Sequence, residues 1–242
     1  MSIVFSDTST NLGIVQRVRK LMRVDATQWP TANIVNSCND WLDTVINYGI
    51  TADRKFPIDD TNHTLLPEGT ANLVINQSDY SFLTDQSGNN IITLTRIDIK
   101  DSNGIWRQLE LIDQSDIKHD GLQSFYTSTG FPLYYDKIAD NIIRLYPTPD
   151  VSVTAGIKFY FQRTPSYFTA ADTTKTPGVS PLLHRGFVIA AAYDGAMTLG
   201  LKNTAALSVE FQKETAKMEN YWADRNRDDV PLVFGQTVTP FV

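Results

Sequence analysis

The chain has 242 residues, 42% hydrophobic and 20% charged, a balance that excludes a disordered polymer and is long enough to bury a core without disulfides or structural metal. A single cysteine excludes an intrachain disulfide framework, and a net charge of −6 argues against a chain built to grip DNA by its phosphates, which needs a surplus of Lys and Arg. The N-terminus, MSIVFSDTSTNLG, lacks the basic and apolar regions of a signal peptide, and no apolar run approaches the ~20 residues of a membrane span; the expectation is a chain soluble and intracellular at synthesis, with the sequons at Asn62 and Asn76 silent.

In chain order, the first predicted helix runs from about Asn11 to Val24, with Leu12, Val15, Val18 and Leu21 along one face and Arg17, Arg19, Lys20 and Arg23 over much of the rest. The second starts at Pro30, which suits a first helical turn, carries the stripe Ile34, Cys38, Trp41, Leu42 and Val45, and has Gly49 as a plausible stop. From about Leu65 to Thr164 the pattern changes to strands. Ile97 and Ile99 alternate with polar residues, and Asn103-Gly104 then marks a hairpin into Ile105–Glu110. A second hairpin joins Leu133–Ile138 to Ile142–Tyr146 through Ala139-Asp140-Asn141, and Ile157, Phe159 and Phe161 line one side of a further strand. Asp85–Asn90 reads as a turn between strands at about Ala71–Leu83 and Ile91–Ile97.

Thr169–Gly178 reads as a loop returning to helical structure. A third helix opens with Ser180 as cap and Pro181 behind it, and is apolar almost all round from Phe187 to Leu201. Gly186, Ala190–Ala192 and Gly195 suit a central helix that neighbours approach closely, and Gly200 is the expected C-cap. The fourth begins near Asn203 and ends around Arg227. Leu207, Phe211, Met218 and Trp222 form its apolar side, with Glu210–Lys213 and Glu214–Lys217 as i,i+3 pairs. The simplest α+β architecture is a four-helix bundle made of residues 1–60 plus 178–228, with an inserted antiparallel β-rich domain at 61–177 and an extended C-terminal arm at 229–242; two independent domains is the alternative. The arm holds Leu232, Phe234 and Phe241, and either packs on its own domain or pairs with another subunit.

Candidate chemistry is sparse. His63, His119 and His184 fall in no ligand spacing, and no cysteine pair, H-E-x-x-H, phosphate loop or G-x-S-x-G occurs, so no catalytic, cofactor-binding or metal residue is assigned and the chain reads as a non-enzyme. Cys38 sits on an apolar stripe, where a buried inert thiol is the default, and His184 opens an apolar helix, where packing or capping is the better reading. Asp59–His63 has the flavour of a calcium loop but lacks the glycine and distal glutamate. Asp113 and Asp116 are one of many chance carboxylate pairs among 27 acidic residues. Trp106, Tyr126, Phe131, Tyr134, Tyr135 and Tyr146 could line a sugar-binding face, with sheet core or subunit interface as the alternative. The basic cluster Arg17, Arg19, Lys20 and Arg23 is either a solvated helix face or a contact for an acidic neighbour or DNA phosphates.

Three stretches carry a family resemblance: the N-terminal helix pair with Val18-Arg19-Lys20-Leu21 and Trp41-Leu42; the run Gly130–Tyr135, Ile143–Pro149 and Ile157–Tyr160; and the alanine-rich helix from Leu182 followed by a Lys/Glu-rich amphipathic helix. In these the chain resembles the head-to-tail adaptor, or neck connector, proteins of tailed bacteriophages. The resemblance implies a structural virion protein of the neck, assembled in the host cytoplasm. It implies a homo-oligomeric ring of about twelve subunits between the portal protein and a tail, tail-tube or nozzle protein, with genomic DNA passing through without sequence-specific binding and no membrane partner. It carries over no catalytic residue and no cofactor. Over such a ring −6 per chain sums to about −70, a field that would repel phosphate and let DNA slide. The competing class is a virion carbohydrate-binding or tail-fibre-associated module.

Overall fold

The computed structural model describes residues 2–52, 68–112 and 127–228, with side chains to 223. The chain divides into two compact units: Met1–Arg54 with Tyr167–Val242, and Lys55–Ser166.

The first unit is organised by one helix. Helices α1 (Ile14–Met22), α2 (Thr31–Ala52), α3 (His184–Thr198) and α4 (Thr204–Asp228) make it up, and α1, α2 and α4 all pack against α3. Small residues on α3 allow this. A Cβ on Gly186 would lie 2.9 Å from the Trp41 indole nitrogen, and one on Gly195 would lie 2.9 Å from the Trp29 ring. Ser180 accepts a hydrogen bond from the Leu182 amide in a short 3-10 turn, Pro181–Leu183, that leads into α3. Past its end, Gly200 adopts φ +61°, a left-handed conformation that costs glycine little.

The N-terminal strap is tied in as well. Phe5 donates its amide to Lys175 O at 2.7 Å, and its ring stacks on Phe168, which meets Phe187 edge-on. Asn39 holds the returning chain at both polar groups of Phe168, its Nδ2 donating to the carbonyl and its Oδ1 accepting from the amide.

The second unit is built from two sheets. In the first, β1 (Glu68–Leu73), β10 (Val153–Arg163), β3 (Ile91–Lys100) and β4 (Trp106–Gln108) lie side by side in that order, all antiparallel. In the second the order is β2 (Asp79–Ser81), β8 (Ile142–Tyr146), β7 (Tyr134–Ala139) and β5 (Glu110–Leu111), with β5 parallel to β7. A third, minor pair, β6 (Thr129–Gly130) and β9 (Thr148–Pro149), is also parallel.

Alternation does the sorting. Ile157 lies opposite Ile99 and Phe159 opposite Ile97, so these residues and Phe161 share one face and enter a common core with Tyr80, Ile143 and Leu145 of the second sheet. The Asn103-Gly104 turn is closed by Asp101, whose Oδ1 accepts from the amides of Asn103 and Ile105 while Gly104 takes φ +84°. Tyr80 pins the β1–β2 connection, its hydroxyl bonding both the amide and the carbonyl of Val74.

The expected four-helix bundle with an inserted antiparallel domain is not what the chain forms. Helix α1 has only nine residues and touches α2 little, so the N-terminal helices do not form a pair; α1, α2 and α4 each pack on α3 instead. Apart from Arg185 and Asp194, α3 is mostly small and apolar, so it can accept several neighbours at once instead of a single bundle partner. The described residues hold four α-helices and ten strands in three sheets, two of whose pairings are parallel.

Smaller corrections follow the same logic. Leu12 precedes α1 and is 48% exposed, Leu21 is 39% exposed, and the buried face is Ile14, Val15, Val18 and Met22, because inward positions repeat at three and four rather than three alone. Gly49 does not stop α2, which continues to Ala52. The expected strand over 71–83 is two strands in different sheets, divided after Leu73 by the turn that contains Asn76 at φ +61°. The C-terminal arm lies outside the described residues.

Candidate interaction surfaces

The basic cluster of α1 separates into different roles. Arg19 is internal architecture: its Nε donates to Trp29 O at 3.3 Å and its Nη2 to Thr31 Oγ1 at 2.9 Å, bracing the entry to α2. Arg23 caps α1 in the left-handed region at φ 59°, donating its amide to Arg19 O, with an exposed side chain. Lys20 is exposed. Arg17 is half-buried, and its Nε is enclosed without a hydrogen-bond partner among the described residues.

Arg17 and Lys20 flank a groove of about 350 Å³ between α1 and α3. Leu12, Leu21, Val188 and Ile189 line it, and Arg185 adds a third cation. Arg185 was not visible as part of this cluster in the sequence. It is held by Glu210 and Glu214 on α4, at 2.7 and 2.6 Å. The adjoining depression at the C-terminal end of α1 brings Arg23 beside Lys202.

A second groove, about 230 Å³, lies among α2, α3 and α4, with Trp41, Tyr193 and Phe211 in its lining and Met197 beside them. Tyr193 stacks on Phe211 at 5.3 Å, and Trp41 meets Phe211 edge-on at 5.2 Å. Its charged lining is acidic, Asp40 and Asp194, with Ser37 donating to Asp194 at 2.6 Å. Sequence reasoning missed this site. Its signal was the pair Arg185 and Asp194 on an otherwise apolar helix, nine residues apart and therefore on about opposite sides at 3.6 residues per turn.

Cys38 and His184, the cysteine and histidine among the described residues, are both buried. Cys38 is buried and burial pushes its thiol well above the usual range, leaving it without thiolate character. His184 is 2% exposed; its Nδ1 accepts from the Ile3 amide at 3.0 Å and its Nε2 faces Val179 O at 2.9 Å, which fixes a neutral ring with the proton on Nε2. No group of three or more His, Cys, Asp or Glu residues among those described could hold a metal ion. His63, His119, Asp59–Asp60, Asp113, Asp116 and Tyr126 lie outside the described residues, as do Leu232, Phe234 and Phe241 of the arm. The aromatics considered for sugar binding do not share a face. Trp106 belongs to the first sheet under Lys100 and Lys158, whereas Tyr134, Tyr135 and the buried Tyr146 belong to the second.

Charged grooves with apolar linings are features of surfaces that bind other proteins. The family model of the SU10 adaptor protein matches residues 9–235, and the chain belongs to that family, a family of phage head-to-tail adaptors. A comparison with curated proteins returns no match. Membership makes the chain a structural phage protein and a virion component that contacts other head or tail proteins. No described helix is long and apolar enough to cross a membrane.

Proposed function

We propose that the chain forms a homo-oligomeric ring of about twelve subunits in the phage neck, joining the portal protein to a tail or nozzle protein, with genomic DNA passing through its channel. The observation that carries this reading is the family match from residue 9 to residue 235, nearly the whole chain. The acidic balance supports the passage of DNA. At −6 per chain, a ring presents a field of about −70 that disfavours adhesion of phosphate to its surface. Native mass spectrometry of the purified chain, alone and with a portal ring, tests the assembly: a ring of this chain on the portal is expected. Absence of the protein from purified virions overturns the reading.

A further inference from the structure

The two grooves beside α3 carry opposite charge and a similar apolar lining. The basic one is defined on α3 by Arg185, Val188 and Ile189, the acidic one by Ala190, Tyr193, Asp194 and Met197. At 3.6 residues per turn these two sets face directions roughly 130° apart around the helix. Each groove has exposed apolar side chains at its rim, Leu12 (48%) and Leu21 (39%) on one side and Met197 (52%) on the other. Arg17, which lines the basic groove, also has an enclosed Nε without a partner among the described residues.

We infer that a second copy of this chain docks head to tail here, its Asp40 and Asp194 groove seated on the Arg17 and Lys20 groove of the first. This rests on the ring reading above and names the surfaces that would build the ring. Charge chooses the occupant. A two-fold pairing of either groove with itself would set the cations Arg17 and Lys20 against those of the copy, or the acids Asp40 and Asp194 against theirs, and like charges across a contact are unfavourable. Pairing one groove with the other brings opposite charges together and covers both apolar linings. Because the two patches differ and point in different directions, the contact is heterologous. Repeated copies then propagate around an axis and close when the rotation per copy divides a full turn. DNA on the basic groove alone would leave the acidic, aromatic groove uncovered.

Charge reversal in the full chain is the test. Lys20→Glu sets an acid against Asp40 of the neighbour, and Asp40→Lys sets a cation against Lys20. Either variant alone is expected to weaken self-association at least tenfold by sedimentation, with wild-type association falling as salt rises. An equimolar mixture of the two, or the K20E/D40K double variant, restores association, because each altered groove then meets its complement. Both positions are exposed, and thermal melts check that the variants fold. The same variants supplied in trans to a phage lacking the gene report assembly on its natural template: single variants fail to give infectious particles and the double variant succeeds.

The inference is overturned if single variants associate and complement like wild type, or if the double variant remains as defective as either single. It is also overturned if K20E abolishes binding of duplex DNA while association is unchanged. Protein absent from purified particles would overturn the ring reading itself. Protein present and indifferent to charge reversal would overturn only the docking.

Discussion

The two units reach stability by different means. In the first, one helix with small residues receives neighbours on all sides, and contact depends on close approach: Trp41 over Gly186, Trp29 over Gly195. In the second, alternation along long strands drives Ile97, Ile99, Ile157, Phe159 and Phe161 into a core shared between two sheets. The difference shows in what remains outside. The helical unit leaves grooves between elements, because cylinders around a central helix cannot fill every gap. The sheet unit leaves an outer face of stacked charge and rings, with Lys158 over Trp106 and Arg96 over Tyr160, and a mixed-charge depression of about 410 Å³ lined by Asp101, Arg107 and Asp150.

The largest way to probe this contrast is core truncation. Phe187→Ala in the helical unit and Phe161→Ala in the sheet unit each remove a fully buried ring and are expected to cost about 3–5 kcal/mol. Calorimetry of the intact chain should show each variant lowering a different transition. A single transition lowered equally by both would break the two-unit comparison.

Buried carboxylates come next. Glu214 is 5% exposed and held by Arg185, and Asp98 is 2% exposed and gripped by Arg96 through two bonds of 2.6 and 2.7 Å. Arg96→Ala strands a desolvated carboxylate and should cost about 2 kcal/mol by urea titration, less than for a fully enclosed pair because the guanidinium reaches solvent; Arg185→Ala should cost less, because Lys217 still lies 3.7 Å from Glu214. Replacing the carboxylate as well, in R185A/E214L, should recover most of the loss.

These cases mark what was legible beforehand. Strand faces were, because a period of two has only one alternative and Ile97, Ile99, Ile157, Phe159 and Phe161 all chose the same one. The Asn103-Gly104 hairpin was legible for a local reason, since its turn chemistry needs no partner element. The partnership of the helices was not. A face can be read from spacing, but α3, apart from Arg185 and Asp194, is mostly small and apolar, so little in its pattern says which neighbour takes which side. The candidate site suffered in the same way. Four cations on α1 looked equivalent, but Arg19 turned inward to Trp29 O and Thr31, while Arg185, 165 positions beyond Lys20, joined the remainder. Proximity of that kind is a product of packing.

Acid should separate the units by pH. Burial lowers the pKa of His184 from its ordinary 6.5, so unfolding takes up a proton that the folded ring refuses. That contribution to stability is complete above pH 6.5 and is lost as pH falls toward the folded value, at no more than about 1.4 kcal/mol per pH unit. In the sheet unit, the hydrogen bond from Arg144 lowers the pKa of Asp79 from 3.8, so its contribution is intact above pH 3.8 and lost only below. Melts between pH 7.5 and 5 should therefore weaken the helical transition first. His184→Gln should flatten that slope, and equal sensitivity of both transitions over this range would contradict the assignment.

The smallest effect divides the basic cluster itself. Arg19→Ala removes two hydrogen bonds that brace the start of α2 and should cost about 1 kcal/mol. Lys20→Ala, one residue or about 1.5 Å of helix rise further on, removes only an exposed ammonium group and should fall within about 0.5 kcal/mol of wild type. The assembly readout should run the other way, with Lys20→Ala weakening association and Arg19→Ala leaving it nearly unchanged in molecules that remain folded. If both substitutions move stability and association together, α1 is simply a structural helix. If they separate, the basic cluster contains one residue that builds the subunit and another that is reserved for its neighbour.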